Sequence, residues 1–473
     1  MKTKTKSRLL IGILTSMTII GFIGIVIGSA RADSMCIFLN PSGDITGETD
    51  TQAIQEAFNA AVLAGPESTI ILGEGIFYIS HTIHITDFDG IFKGQGKGKT
   101  IIVNEHCDSN PFPASPYPDF FTFTLEERGT DPDYPANIEI ADMTIQAVGT
   151  TELWNAGPWF YIMDNSFGSL IYIERWFGEY YCNAKIRGIE FVGEYYTNSI
   201  GQSVPNILEA ITFYAPIYSL SGNVYIQDCY IENSFEPIGI VGLKNSMIDI
   251  SHNTFVNSLV RGVKFFHNKY INVKISHNIG VNSGIIGFYG SLYTYSNNFL
   301  IDHNEATNPI DGWVAAIEVW DDIISPEKSS FVIVSNRIHS EDSLASGPIW
   351  MYGVDNALIA NNIITGTGPS AIYIGVDPMG VDPISSGLMI RGNNLEGWQV
   401  TDYDGFWGSV QAAAPIWLGS GATNCIVIGN ARHNVADDGI DNILLGVDKI
   451  QGPIIGQETK EMMELKKSLI TNF

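Results

Sequence analysis

Apolar and polar residues alternate in short runs along most of the chain, as they do in β-strands. Within this alternation the motif Ile-x-x-Asn recurs, and the steps between its asparagines are 25, 26, 32, 26 and 31 residues. A period of this length is typical of stacked units, each too small to bury its own apolar face. The repeat therefore predicts a parallel β-helix. The motif falls at Ile250/Asn253, Ile275/Asn278, Ile301/Asn304, Ile333/Asn336, Ile359/Asn362 and Ile390/Asn393.

A second strand follows the asparagine of each predicted coil. It has the form apolar-x-apolar, first at 238–240 and last at 416–418. Since side chains alternate between the two faces of a strand, each middle residue should point away from the core. Successive members of this outward column should be about 4.8 Å apart. The column consists of Gly239, Lys264, Gly287, Glu318, Trp350, Tyr373 and Trp417.

The two ends of the repeat have different patterns. Polar capping residues at 49–52 and an apolar stripe at helical spacing predict a helix over 51–63, which would cover the open edge of the first coil. An amphipathic pattern over 458–469 predicts a short helix that closes the last coil. Strands are expected at 69–72, 76–79, 82–85 and 100–103, and regular coils over 220–445. Long loops are predicted at 104–136, 147–182, 192–222, 305–330, 366–386 and 396–414.

The N-terminal segment 43–103 also resembles a known family. Its characteristic groups are Asp50-Thr51-x-Ala53-Ile54-Gln55-x-Ala57, Gly75-x-x-Tyr78-Ile79, Ile83-x-Ile85, Gly94-x-Gly96 and Thr100-Ile101-Ile102. They are similar to the N-terminal segment of pectate-lyase-like right-handed parallel β-helix proteins, which include pectate lyases, rhamnogalacturonases, polygalacturonases and epimerases. The resemblance implies an all-β, right-handed parallel β-helix with an N-terminal capping helix, loop insertions and a short C-terminal helix. It also implies action on extracellular polysaccharide, as an association of the fold.

The chain departs from the catalytic motifs of that family. The hydrolase branch carries Gly-His-Gly and Arg-Ile-Lys, and neither occurs in this sequence. Ile301-Asp302-His303 resembles part of a pectate lyase signature, but the Arg-x-Pro-x-x-Arg that accompanies the signature is missing. No complete catalytic set can therefore be carried over residue by residue.

Residues 1–32 have the features of a targeting segment. Four cations precede a mostly apolar run, and Ala30-Arg31-Ala32 forms a cleavage site. We expect cleavage after Ala32 and export to the medium or the cell surface, with an uncleaved membrane anchor as the alternative. Residues 33–473 are then expected to form a single monomeric domain.

The charge of the chain restricts its partners. The full chain has a net charge of −26, and loss of the five cations in residues 1–32 leaves −31. Such a field repels nucleic acid and anionic lipid, and it does not favour polyanionic sugars unless a cation bridges them. The expected partner is an extracellular polysaccharide. No cofactor is indicated for certain, and calcium is the one candidate. The five cysteines show no C-x-x-C spacing, which argues against a zinc knuckle.

The outward column supplies the first candidates for chemistry. Trp350, Tyr373 and Trp417, with Trp320 nearby, could stack on sugar rings, or they could be covered by loops and form a second core. Glu318 is adjacent to Trp350 in the column, and Trp320-Asp321-Asp322 follows it closely. These carboxylates could act as general acid and base, or bind calcium. The alternative is a solvated acidic turn.

A histidine ladder supplies the second set of candidates. His252, His277 and His303 precede three successive ladder asparagines, so they should stack on one another. Stacked like residues stabilise turns more often than they hold metals. Asp302-His303 is the one step with a carboxylate, which makes it the member to test.

Elimination would need a different set of residues. Lys264, with Arg261 and Lys274 on neighbouring coils, could supply the base and the cation of a lyase. The sequence thus predicts a secreted polysaccharide-binding β-helix protein of hydrolase or lyase type, with a non-catalytic adhesion or binding solenoid as the alternative.

Overall fold

A computed structural model describes residues 24–26, 34–104, 119–149, 166–198, 201, 203–289, 297–307, 315–321, 329–340, 348–375, 384–405, 408–410, 414–430 and 434–450. Within these ranges the chain is a parallel β-helix with two long sheets and one helix, as the repeat predicts. None of the helices in these ranges is both long enough and apolar enough to span a membrane.

The first long sheet contains two faces of each regular coil, one before and one after the ladder asparagine. Its strands are Gly24–Val26, Cys36–Leu39, Ser68–Leu72, Gly75–Ile79, Gly90–Lys93, Thr100–Asn104, Ala136–Ala147, Tyr180–Val192, Leu220–Ser221, Asn223–Gln227, Tyr230–Glu232, Met247–Ser251, Thr254–Val256, Asn272–Ser276, Ile279–Val281, Asn298–Asp302, Glu305–Thr307, Ser330–Val334, Arg337–Ser340, Leu358–Ala360, Ile363–Gly368, Met389–Arg391, Trp398–Val400, Ile426–Ile428 and Ile443–Leu445.

The second long sheet is the face that carries the outward column, and all of its described strands pair in parallel. Its strands are Ile83–Thr86, Phe121–Thr124, Phe167–Glu174, Ile207–Tyr214, Ser234–Val241, Val263–Phe266, Ile286–Tyr289, Ile317–Trp320, Ile349–Tyr352, Ile372–Gly375, Ile416–Leu418, Asn434–Asp437 and Asp448–Ile450. Three short pairs complete the described strands: Tyr195–Thr197 with Ser203–Pro205, Ser385–Ser386 with Ala422–Thr423, and Tyr403–Gly405 with Gly408–Val410.

The predicted isoleucine stack forms the core of the solenoid. Ile250, Ile275, Ile301, Ile333 and Ile359 are neighbours in register and are fully buried. Because each inward position superposes on the next, a single apolar column is shared by successive coils.

The ladder asparagines close the turns beside this stack. The side-chain amide of Asn304 donates to the backbone carbonyl of Ile275 at 2.9 Å and to Oδ1 of Asn336 at 3.0 Å. The backbone N–H of Asn304 also donates to Asn336 Oδ1, at 3.0 Å. The same bonds repeat from Asn253 to Asn430, one coil beyond the last Ile-x-x-Asn. Each buried amide is thus satisfied by its neighbour, which explains why the repeat requires asparagine.

The capping helix is present, but it begins earlier than predicted. It spans Glu48–Ala64 rather than 51–63, and its N-cap is Gly47 at φ 80°, with no side-chain cap. The predicted capping residues at 49–52 therefore lie inside the helix. Asp50 accepts instead from the backbone N–H groups of Ser42 and Tyr78, which ties the helix to the first coils.

The prediction of long loops in the early part of the chain was wrong in part. Strands Phe167–Glu174 and Ile207–Tyr214 fall inside the predicted loops 147–182 and 192–222. Residues 105–118 and 150–165 of the predicted loops lie outside the described residues. The alternation breaks at Leu170–Ile171 and at Ala210–Ile211, where two consecutive side chains belong to the core, so the strands are hard to recognise. Strands also occur in the other predicted loops, such as Phe121–Thr124 and Ile317–Trp320. The predicted C-terminal helix at 458–469 lies outside the described residues, as does all but 24–26 of the targeting segment.

Candidate active site

The outward column has the predicted register but not the predicted exposure. Gly287, Glu318, Trp350, Tyr373 and Trp417 are Cα partners strand by strand. However, Glu318 is 0% exposed, and Trp350, Tyr373 and Trp417 are 4%, 2% and 2% exposed. The prediction of a solvent-facing aromatic platform is therefore wrong, and the alternative of a covered second core is the one observed.

The rings of the column pack on one another. The Trp350 and Tyr373 centroids are 6.3 Å apart, and the Tyr373 and Trp417 centroids are 4.6 Å apart. Trp320 is also buried, and its ring lies edge-on to that of Trp350 at 5.5 Å. Trp417 donates from Nε1 to Asp438 at 3.2 Å. Side chains packed and buried in this way contribute mainly to stability.

The acidic candidates do not form one cluster. Asp321 is buried and accepts from the backbone N–H of Ser329 at 2.8 Å. Asp322 lies outside the described residues. Asp302 is the last residue of a strand of the first sheet and His303 follows it, whereas Glu318 is in the second sheet, so the structure does not bring them together.

The histidine ladder is stacked as predicted. The rings of His252 and His277 are 5.0 Å apart with planes 7° from parallel, and those of His277 and His303 are 5.2 Å apart at 4°. All three residues have positive φ, which fits their position in the tight turn before each asparagine. Across the ranges that the structure describes, no three His, Cys, Asp or Glu side chains form a group that could hold a metal ion.

Sequence reasoning missed a row of carboxyl groups at the other end of the second sheet. Ser169, Glu209 and Glu236 are Cα partners on three adjacent strands, and all three are buried. Asp119 continues the row, because its Oδ1 accepts from the backbone N–H of Ser169 at 2.7 Å. We call Asp119, Ser169, Glu209 and Glu236 the carboxyl row. It lies on the outward face, three residues before the column that contains Lys264.

Two cations hold one end of this row. Lys264 Nζ lies 3.2 Å from Glu209 Oε1 and 2.9 Å from Glu236 Oε2, so one ammonium group bridges both carboxylates. Arg261 Nε lies 3.2 Å from Glu236 Oε1. Lys264 therefore acts as a charge clamp that fixes the positions of both glutamates.

Hydroxyl groups connect the other end of the row. Thr212 donates from Oγ1 to Glu209 Oε2 at 2.5 Å, and Ser169 Oγ lies 2.6 Å from Thr212 Oγ1. Ser169 also contacts Asp119 through its backbone N–H. Hydrogen bonds therefore join Glu209 through Thr212 to Ser169, whose backbone N–H donates to Asp119.

Two glycines of the outward column make room for these side chains. A Cβ at Gly239 would lie 2.1 Å from Glu209 Oε2, and a Cβ at Gly287 would lie 2.4 Å from Cδ of Arg261. Real atoms do not approach so closely, so any larger residue at 239 would displace the carboxylate. The gaps in the column are occupied by the long charged side chains of neighbouring coils.

The surroundings separate the pKa values of the carboxyl groups. Burial raises the pKa of Asp119 to about 8. The backbone N–H of Ser169 lowers this pKa, and the negative charges of Glu174 and Glu209 raise it further. Burial would also raise the pKa of Glu236, but Lys264 and Arg261 outweigh it and hold the pKa below its ordinary value. The pKa of Lys264 is raised, because Glu236 and Glu209 outweigh its burial. At neutral pH the row therefore combines the protonated carboxyl group of Asp119 with the ionised one of Glu236.

A pH dependence of stability follows from Asp119. Its folded-state pKa of about 8 lies above its ordinary value of 3.8, so the unfolded state loses the proton first as pH rises. The free energy of unfolding should therefore fall between about pH 4 and about pH 8 by a contribution that Asp119→Asn removes. Urea titrations at several pH values measure it, and Asp133→Asn, at an exposed aspartate, is the control. Parallel pH profiles for wild type and Asp119→Asn would contradict the assignment.

The sequence does contain a signal for the carboxyl row. Glu209-Ala-Ile211-Thr-Phe213 and Glu236-Pro-Ile238-Gly-Ile240 share the frame of the later coils. The apolar-x-apolar strands, extended by two residues toward the N-terminus, would have included Glu236 and Arg261. Extension of the same frame by one coil would have reached Glu209.

Comparison with known proteins identifies the fold. No family model matches the sequence, and no curated protein matches it. A solved structure of DFA-IIIase from Arthrobacter chlorophenolicus A6 in complex with GF2 is similar, with a TM-score of 0.53, 12% identity, and coverage of 90% of this chain and 97% of that chain. The structure of the same enzyme in complex with DFA-III is similar with a TM-score of 0.53 and 12% identity, and the match covers 88% of this chain and 96% of that chain. The chain is a parallel β-helix protein. At this level of identity the likeness extends to the fold alone.

Proposed function

We propose that this chain is a secreted glycoside hydrolase that acts on an extracellular polysaccharide through the carboxyl row. Three things support the proposal. The row places Asp119 on one face of the solenoid with two glutamates that Lys264 contacts. A solved β-helix of similar fold is an enzyme that was crystallised with GF2 and with DFA-III. The N-terminal segment resembles a family of polysaccharide-active β-helix proteins.

The observation that carries the proposal is the placement of Asp119, whose pKa burial raises, in one row with two glutamates that Lys264 contacts. Hydrolysis of a glycosidic bond uses one carboxyl group that donates a proton and a second, ionised one. Asp119 keeps its proton at neutral pH, whereas Lys264 holds Glu209 and Glu236 in a cationic environment. Pairs of carboxyl groups whose surroundings separate their pKa values in this way are typical of acid and base assignments.

The order of the strands suggests a role for each residue. The strand after Asp119 and the strand of Glu209 are separated by one strand, so their backbones are about 10 Å apart. Inverting glycosidases place their carboxyl groups about 6.5–9.5 Å apart, with a water molecule at the base. Asp119 would protonate the leaving oxygen, and Glu209 would take a proton from the water that attacks the sugar carbon. Glu236, Lys264 and Arg261 would position Glu209.

The same contacts argue against an elimination that uses Lys264 as its base. An ammonium group that bridges two carboxylates, with its pKa raised by them, does not release its proton near neutral pH. Arg261 is also paired with Glu236. Lys264 therefore fits a positioning role better than the role of a lyase base.

The test is a search for turnover. Residues 33–473 are incubated with neutral and uronic oligosaccharides, with GF2 and DFA-III included, in the presence and absence of calcium. We expect new reducing ends without an ultraviolet chromophore on at least one neutral member. Glu209→Gln and Asp119→Asn should each lower the rate by about 10²–10⁴-fold, the usual contribution of a positioned acid or base. Glu305→Gln, at an exposed glutamate of the first sheet, is the control and should keep full activity.

The other outcomes each decide against part of the proposal. Products with an unsaturated chromophore would show that the reaction is elimination and not hydrolysis. Loss of turnover in Glu318→Gln but not in Glu209→Gln would move the site to the outward column. Saccharide binding without turnover on any member of the panel would show that the chain is a binding solenoid and not an enzyme. Export is tested separately, by whether cleavage after Ala32 occurs in the producing cell.

A further inference from the structure

A second group of aromatic residues borders the carboxyl row, and this one is partly open to solvent. Strand Phe167–Glu174 contains Ser169 of the row and ends at Glu174, and the chain then continues through Trp176 and Phe177. Trp176 and Tyr214 are partly exposed, and Phe177 is 70% exposed. This contrasts with Trp350, Tyr373 and Trp417, which are buried. An exposed cluster of large aromatic side chains is a feature that binding surfaces share.

The rings of this cluster are held in place. The Trp176 and Tyr214 centroids are 5.2 Å apart with planes at 60°, and those of Tyr172 and Tyr214 are 6.1 Å apart at 28°. Trp176 donates from Nε1 to Glu174 Oε2 at 2.8 Å, which fixes the indole. Glu174 and Tyr214 are Cα partners on adjacent strands. The aromatic faces are therefore positioned before any ligand arrives.

The turn that carries Trp176 is also fixed. Arg175 donates from Nη2 to the hydroxyl of Tyr180 at 2.8 Å, and its guanidinium carbon lies 3.9 Å from the centre of the Tyr180 ring. The backbone N–H of Arg175 donates to the carbonyl of Tyr214 at 2.9 Å. An aromatic side chain on a rigid turn loses little conformational entropy on binding.

The cluster is continuous with the carboxyl row. Tyr172 is the Cα partner of Thr212, whose hydroxyl donates to Glu209. Burial raises the pKa of Tyr214, the charge of Lys264 lowers it, and the charges of Glu174 and Glu209 raise it. The charges of the row therefore act on this ring. A ligand ring over Trp176 and Tyr214 would thus place its neighbouring unit near Glu209.

We propose that Trp176 and Tyr214 form a stacking subsite for one ring of a neutral saccharide, adjacent to the carboxyl row. The inference rests on the proposed function for its choice of ligand. Sugar rings have apolar C–H faces that pack on aromatic rings, and their edges carry hydroxyl groups that bond to carboxylates. The ligand is neutral because Lys264 and Arg261 are engaged with Glu209 and Glu236, in a chain of net charge −26.

Equilibrium binding in a slowed enzyme tests the subsite. Calorimetry with the oligosaccharide panel is run on Glu209→Gln, alone and combined with Trp176→Ala, Trp176→Phe or Tyr134→Ala. Tyr134 is an exposed aromatic residue outside the cluster and is the matched control. We expect Trp176→Ala to weaken binding of the preferred neutral oligosaccharide by roughly tenfold or more, because it removes one stacking contact with a sugar ring. Trp176→Phe should retain most of the affinity, and Tyr134→Ala all of it. Circular dichroism confirms that each variant is folded.

The outcomes separate this inference from the proposed hydrolysis. Turnover in the wild type, with binding unchanged by Trp176→Ala, would overturn the subsite and leave the hydrolase standing. Binding that depends on Trp176 in a chain without turnover would keep the subsite and overturn the hydrolase. Preferential binding of oligouronides, or no binding by any member of the panel, would also overturn the subsite.

Discussion

Replacing Ile301 by aspartate is expected to prevent folding. Ile301 is fully buried between Ile275 and Ile333 in the inward stack, so a carboxylate there would lie in the core without a partner. The cost of an unpaired buried charge is several kcal/mol, comparable to the whole stability of many domains. Soluble yield and circular dichroism measure the effect.

The adjacent residue provides the control for this substitution. Leu300 belongs to the same strand but points outward and is partly exposed, so Leu300→Asp should give soluble, β-rich protein. If Ile301→Asp also folded, with a spectrum and a solubility like those of Leu300→Asp, the shared core of the coils would be wrong.

Replacing Trp350 by alanine is expected to cost stability, not binding. The side chain is 4% exposed and packs against Trp320 and Tyr373, so its removal leaves a cavity in the covered second core. Truncation of a buried tryptophan costs about 3–5 kcal/mol. Guanidinium titration measures the change, and Phe177→Ala, at a 70% exposed ring, should change stability by less than about 0.5 kcal/mol.

The opposite pattern would restore the interpretation that the sequence suggests. Saccharide retention lost in Trp350→Ala, at unchanged unfolding midpoint, would mean that the Trp350 ring contacts the ligand. Comparison with Trp176→Ala under the same conditions makes the contrast direct, because the strand of Trp350 lies six strands away from the strand that precedes Trp176.

The fold could be predicted because each coil repeats the same physical requirement. The buried isoleucine and the ladder asparagine recur in every regular coil, so the strand register from Ile250 to Ile390 follows from spacing alone. The early coils were not recognised, because Leu170–Ile171 and Ala210–Ile211 both turn inward and break the alternation. The helix start was misplaced because Gly47, a residue with no side-chain cap, precedes it.

The candidate site was less predictable than the fold, for a different reason. Alternation shows which residues leave the core, and it placed Glu318, Trp350 and Tyr373 correctly in one column. It does not show whether other parts of the chain cover them. Glu209 was missed because its strand was interpreted as a loop. Glu236 was missed because its strand was predicted to begin at residue 238, whereas it begins at Ser234. Whether any of these residues binds or reacts stays a prediction.

The glycine at 239 implies a constraint on how this protein can vary. Its missing side chain is the space that the Glu209 carboxylate occupies, although the two residues belong to successive coils. A larger residue at 239 becomes acceptable only when position 209 becomes shorter, so the two sites must change together. Substitutions at these two positions of the second sheet are therefore coupled from one coil to the next. A long carboxylate side chain at 209 requires glycine at 239.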